Sequence, residues 1–270
     1  MPEEKEKKSF VRYLAVYGCI STGLIYTAIG VIAILSFLKM KKGGADESDL
    51  LIFLNDFVAG KIIIWIILLG TASYICWRFY EAFTDPYEYG KDMKGVAKRT
   101  GIALSTIADG LIIYSAIQAL LKGSGGEVNG PLGEQQQMIA GLLQERWGNL
   151  LIICLGTVIT ITAAVQFFYG ITKGYRERVN LARFKKSIKF AIHFLAWIGY
   201  ATRGIILGII GFFFIKAGVL ENAQFVVNTD KAFDFIGDEV GHLFFILAAL
   251  GTIFYGLFMF ALGATYHTDE

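Results

Sequence analysis

The sequence predicts an all-α integral membrane protein, with six transmembrane helices arranged as three parallel two-helix repeats in a pseudo-threefold bundle. Three observations carry this. Over half the residues are hydrophobic (55%), the mean hydropathy is +0.54 and only 18% are charged. The tripeptide Leu-Gly-Thr occurs three times inside apolar runs, at 69–71, 155–157 and 250–252. Each copy follows an earlier glycine at nearly the same distance: 47 residues from Gly23 to Gly70, 46 from Gly110 to Gly156 and 47 from Gly204 to Gly251.

Six apolar stretches, near 13–38, 60–83, 100–121, 148–171, 190–216 and 242–265, approach or exceed the ~20 residues that a helix needs to cross a bilayer. The three prolines, Pro2, Pro86 and Pro131, fall outside them. The residues before the first stretch are polar and of mixed charge, with no small-residue cleavage site, so that stretch is expected to remain as an anchor.

Each repeat runs in the same order: cations, a span, a polar loop, a short amphipathic segment and a second span. The units are 1–92, 93–180 and 181–270. The short segments, Leu50 to Phe57, Met138 to Trp147 and Ala232 to Val240, read as helices lying at the outer interface. They serve there either as a lid or as cover for helix ends. Two spans per unit start every unit on the same side, which makes the repeats parallel. A row of three hairpins satisfies the same count.

The N-terminal tail and the loops 84–99 and 172–189 hold fifteen of the cations, against eight in the other loops and their edges. The positive-inside rule then places both termini and the two basic loops in the cytoplasm. The cations from Arg176 to Lys189 fit this topology signal, and also an anionic-lipid or nucleic-acid patch; no nucleic-acid partner is expected.

Several small residues recur in register. Gly18 and Gly23 match Gly199 and Gly204, with Ser105 and Gly110 in the second unit, and Gly30 matches Gly211. Small residues let helix backbones approach in lipid. The set Gly23, Gly70, Thr71, Gly110, Gly156, Thr157, Gly204, Gly251 and Thr252 is therefore expected at helix contacts, with threonine hydroxyls bonding across helices. Gln118 and Gln166 are expected to bond between helices as well.

These residues resemble a bacterial family catalogued as domain of unknown function 1206. The pattern is Gly-x4-Gly, a further glycine, and Leu-Gly about 47 residues after the second glycine. The segment Trp77-Arg78-Phe79-Tyr80-Glu81-Ala82, followed by Asp85-Pro86, is similar to the end of that family's second helix. The second unit departs from the pattern, with Ser105 and Asp109 where the family tends to have Gly and Arg. The resemblance implies the repeated two-helix architecture and a bacterial cell membrane, and no activity.

Thr22, Asp109 and Arg203 precede matched glycines, so they occupy equivalent positions near mid-membrane. A central Asp or Arg costs about 2.5–3.5 kcal/mol on insertion scales, so these side chains are expected to face the bundle interior. They form a candidate polar site, either an ion path or a structural Asp–Arg pair. Arg78 and Glu81, three apart on one helix face, form a second polar pair. The cysteines Cys19, Cys76 and Cys154 lie in spans without metal-ligand spacing. His193 and His242 fall at opposite depths, and His267 is in the tail. No catalytic residue, metal site or cofactor is expected, and the chain does not read as an enzyme.

The functional expectation is a structural or partner-binding component of the cytoplasmic (inner) membrane. Its partners are the lipid bilayer and a membrane protein or a second copy of the chain. The alternatives are a small channel or transporter with its polar site at Asp109 and Arg203, and a lipid-binding protein.

Overall fold

A computed structural model describes residues 2–38, 58–85, 89–90, 92–93, 95–96, 99–103, 106, 110, 131–179, 181 and 184–265. Seven α-helices are resolved among them: α1 (Pro2–Phe37), α2 (Val58–Thr84), α3 (Pro131–Leu143), α4 (Gly148–Ile171), α5 (Lys186–Val219), α6 (Thr229–Phe235) and α7 (His242–Thr265). Residues 99–103, 106 and 110, in the stretch expected to form the third span, are also helical. Short 3-10 turns lie at Gly174–Arg178 and Ala223–Phe225, and a π-helical turn at Ile236–Val240.

Among the described residues, four helical segments are long and apolar enough to cross a bilayer: Ala15–Phe37, Gly148–Ile171, Lys186–Val219 and His242–Thr265. α2 has 27 residues and opens with one cation, Lys61. The end of α2 is fixed by polar side chains. Asp85 turns left-handed (φ 50°), and its carboxylate accepts the N–H groups of Tyr89 (2.8 Å) and Gly90 (3.0 Å). Arg99 donates to the last carbonyls of α2, Ala82 (2.7 Å) and Phe83 (2.8 Å), which have no partner within the helix.

Helix order in space differs from order in sequence. α1 packs against both α2 and α7, and α5 against both α7 and α4. The first helix therefore touches the last, and among the described residues the closest seams join different units rather than the two helices of one unit. Contacts within a unit repeat at a translation of 181 residues. A Cβ at Gly18 would stand 2.7 Å from Tyr74 Cα, and one at Gly199 would stand 2.6 Å from Tyr255 Cα. Likewise Gly70 lies against Ser21, and Gly251 against Thr202.

The seams between units repeat as well. On α1, Gly23 faces the Gly256 carbonyl and Gly30 faces the Ala249 carbonyl. On α5, Gly204 faces the Ala163 carbonyl and Gly211 the Gly156 carbonyl, and Gly218 continues the series against Asn149. The small residues recur every seven positions on antiparallel partners, so the backbones come together where side chains would hold them apart. Two residues of the tripeptides behave differently from expectation. Thr157 and Thr252 return their hydroxyls to their own helices, at Ile153 O (2.7 Å) and Ala248 O (2.9 Å). A helical carbonyl one turn back is the nearest acceptor for such a hydroxyl.

The short segment of the third unit is not laid on the surface. Val226, Ala232, Phe233 and Ile236 are buried in one cluster with residues of α1, α5 and α7. Asn228 caps α6 by accepting from Lys231 N (3.0 Å), and Gly241 (φ 119°) turns the chain into α7. The apolar face of α6 is satisfied inside the bundle, which explains why its amphipathic pattern looked interfacial. In the second unit, Gln136 donates to the Gln224 and Val226 carbonyls (3.2 Å each), tying α3 to the loop ahead of α6. The corresponding segment of the first unit, Leu50 to Phe57, lies outside the described residues.

Candidate functional site

Arg203 lies at the middle of α5, about 25 Å from either end at 1.5 Å per residue. It is 7% exposed. Its Nη1 donates to the Tyr255 hydroxyl of α7 at 2.7 Å. Its guanidinium carbon stands 4.6 Å from the Tyr26 ring centroid on α1 and 4.9 Å from that of Tyr255. The two rings meet edge to face at 5.0 Å and 88°. A desolvated cation over an aromatic face gains about 2 kcal/mol, comparable with the cost of placing the charge at mid-membrane.

Three helices build this box. Gly199, one turn before Arg203, lets α5 approach α7 at Tyr255. Tyr26 lies one turn after the buried Thr22 on α1. Around the guanidinium, Ile206, Leu207, Ile210, Thr229 and Thr252 line a cavity of about 20 Å³, room for one water molecule. Thr229 comes from α6, so the buried segment of the third unit forms one wall. Asp109 lies outside the described residues. Gly110, beside it, is helical, and a Cβ there would meet Ile75 Cδ1 of α2 at 3.8 Å.

A second polar cluster sits at the end of α2. Arg78 Nη1 is 3.1 Å from Glu81 Oε2, and Glu81 is fully buried. The Tyr89 hydroxyl donates to Glu81 Oε1 at 3.1 Å, and the Arg78 guanidinium lies 5.8 Å from the Tyr74 ring. Asp85 receives Arg99 at 3.9 Å. The cluster fixes the turn that leaves α2, because Glu81 accepts from the Tyr89 hydroxyl and Asp85 from the Tyr89 and Gly90 N–H groups of the following loop.

Thr71 does form an interhelical contact, its hydroxyl lying 3.3 Å from that of Ser21. Gly156 packs against Phe214 and Ile215 of α5. Gln166 Oε1 is buried and has no hydrogen bond among the described residues, and Gln118 lies outside them. Cys19 is buried, whereas Cys76 and Cys154 face outward. Among the described residues no group of three His, Cys, Asp or Glu is placed to hold a metal.

The tyrosines were missed from sequence. Tyr255 follows Thr252 by three residues and Tyr26 follows Thr22 by four, so the helical period alone places each beside a polar position already singled out. On α6, Lys231 pairs with Asp234 at 2.8 Å, and that hydrogen bond raises the ammonium above its usual pKa.

Three segments, residues 17–85, 100–173 and 198–266, match the model of a family described as Domain of Unknown Function (DUF1206). The chain is 23% identical over 266 residues to "Uncharacterized protein YxxB" of Bacillus subtilis (strain 168), across 98% of this chain and 94% of that protein. No solved structure matches it.

Proposed function

The chain belongs to the DUF1206 family, and on that premise we propose that it is a non-catalytic structural or partner-binding component of the bacterial cytoplasmic membrane. In this reading six spans close into a pseudo-threefold ring, with both termini and the basic loops cytoplasmic. Two seams support the ring, α1 with α7 and α5 with α4, because they use matched residues. Gly110 against Ile75 falls where a third copy of the Gly23–Gly256 contact belongs. The cation distribution supports the orientation.

The observation that carries a structural role is the packing around Arg203. Tyr26, Tyr255 and residues of α5, α6 and α7 line it and leave a cavity of about 20 Å³ among the described residues. A conducting path needs a continuous column of water or ligand sites, and a space of this size takes about one water molecule.

The test is water access in intact membranes. Single cysteines replace Thr22 or Thr252 in a background lacking Cys19, Cys76 and Cys154, and a small charged thiol reagent is added from each side. The expected result is no labelling of folded protein. Rapid labelling at either position rejects the sealed centre and favours the second reading, a gated path. One observation favours that second reading: α6 both walls the cavity and is joined to α7 through a π-helical turn and Gly241.

A further inference from the structure

Among the described residues, the cations Lys173, Arg176, Lys185, Lys186 and Lys189 after α4 make no ion pair. Residues 172–189 contain seven cations and one carboxylate, Glu177. The 3-10 turn Gly174–Arg178 is pinned by Tyr175, which is fully buried, with its ring 5.4 Å from Phe258 and 5.6 Å from His193 of α5. That anchor holds Lys173 and Arg176 beside the start of α5, within electrostatic range of His193. The Lys173 backbone is left-handed (φ 61°), which ends α4 and turns its side chain out from the bundle surface.

The start of α5 adds to the charge. Lys185 is its N-cap and makes no side-chain cap, the first turn holds no acidic residue, and Lys186 and Lys189 follow. A helix N-terminus carries positive partial charge and is stabilised by anions, so three lysines there raise the energy of the folded state unless an external anion is present. Lys173, Arg176, Lys185 and Lys186 are exposed. Between and beyond them Phe184, Ile188 and Phe190 are exposed too, with Phe190 at 72%. Cations alternating with bare aromatic and aliphatic side chains suit the boundary between headgroups and acyl chains.

We propose that Lys173, Arg176, Lys185, Lys186 and Lys189 form a docking surface for the phosphate headgroups of anionic phospholipid, with Phe184, Ile188 and Phe190 in the acyl region. The occupant is a lipid rather than a soluble anion, because the apolar side chains flank the cations on the same short segment. The inference rests on the orientation proposed above, which puts this loop against the anionic inner leaflet.

The full chain is reconstituted in nanodiscs of zwitterionic phosphatidylcholine with or without phosphatidylglycerol, and melting temperature and lipid retention by native mass spectrometry are read. The expected result is a rise in melting temperature with phosphatidylglycerol that shrinks as salt is raised, together with preferential retention of the anionic lipid. The variant R176Q/K185Q/K186Q/K189Q is expected to retain that lipid at least about tenfold less. The control K231Q, on α6, is expected to retain it as the wild type does. Equal retention of both lipids by the wild type, no salt dependence of the shift, or the same shift from inorganic phosphate in detergent would each overturn the proposal. The wild-type readings decide the matter even if the multiple variant fails to fold. A cysteine at Ser187, labelled from either side in cells, tests the orientation by itself. An external label with intact lipid preference sinks the orientation alone, and an internal label without preference sinks the lipid surface alone.

Discussion

Arg203 shows how neighbouring side chains make one buried charge tolerable. The guanidinium is flanked by two tyrosine rings and bonded to a hydroxyl at 2.7 Å, so its desolvation is offset at several points. Removing the Tyr255 hydroxyl by Tyr255→Phe is expected to cost about 1.5–3 kcal/mol of stability, the range for a hydrogen bond to a charged group. The equivalent position in the second unit is Asp109. If the two residues form a pair, Asp109→Ala or Arg203→Ala alone is expected to cost about 3–5 kcal/mol, because a lone charge is left behind. The double variant then recovers part of the loss in a thermal melt of the purified protein. Additive losses would mean that the two side chains do not pair. At this scale the sequence reveals which positions are polar and how they align across the repeats. It did not reveal the tyrosines, because aromatic residues are common in apolar spans and mark nothing until a charge is placed beside them.

Helix seams follow a seven-residue glycine spacing, and the glycines of the repeated tripeptide enter helix contacts at differing places. Gly204 and Gly211 on α5 face carbonyls of α4, where a Cβ would stand 3.0 Å from the Ala163 and Gly156 oxygens. Gly208, on the same helix, would bring its Cβ no closer than 3.9 Å to Ala163. Gly204→Ala and Gly211→Ala are therefore expected to destabilise by about 1–3 kcal/mol through overpacking. Gly208→Ala is expected to be neutral or stabilising by about 0.5–1 kcal/mol, since alanine is the better helix former. Equal effects at all three positions, read as shifts in melting temperature, would contradict the seam. The tripeptides suggested that Gly156 corresponds to Gly251. In the seams it is Gly156 and Ala249 that occupy equivalent places, two residues away, because each accepts the approach of a matched glycine, Gly211 and Gly30. A sequence repeat records residue identity, whereas a seam needs a small residue at a given turn. The inward fold of α6 was hidden for a similar reason: an amphipathic pattern does not say whether its apolar side meets lipid or neighbouring helices.

At the scale of the whole molecule, the largest helix contacts among the described residues run between units. α1 meets α7 through Gly23, Gly30, Gly256 and Gly263, although these helices are the first and last in the sequence. The three-unit repeat was legible from glycine spacing, and the closed arrangement was one of two that the spacing allowed. The contact between α1 and α7 supports the proposed closed arrangement, because a row of hairpins would leave them apart. A Cβ at Gly263 would stand 3.1 Å from that of the native Cys19, close to the spacing of a disulfide. The direct test is therefore Gly263→Cys in a chain lacking Cys76 and Cys154, with a protease site placed between residues 122 and 130 and an oxidant added in intact membranes. The account predicts that, after cleavage, the two halves stay joined on a non-reducing gel and separate on reduction. Halves that separate without reductant, in protein shown to be folded, would contradict the closed ring.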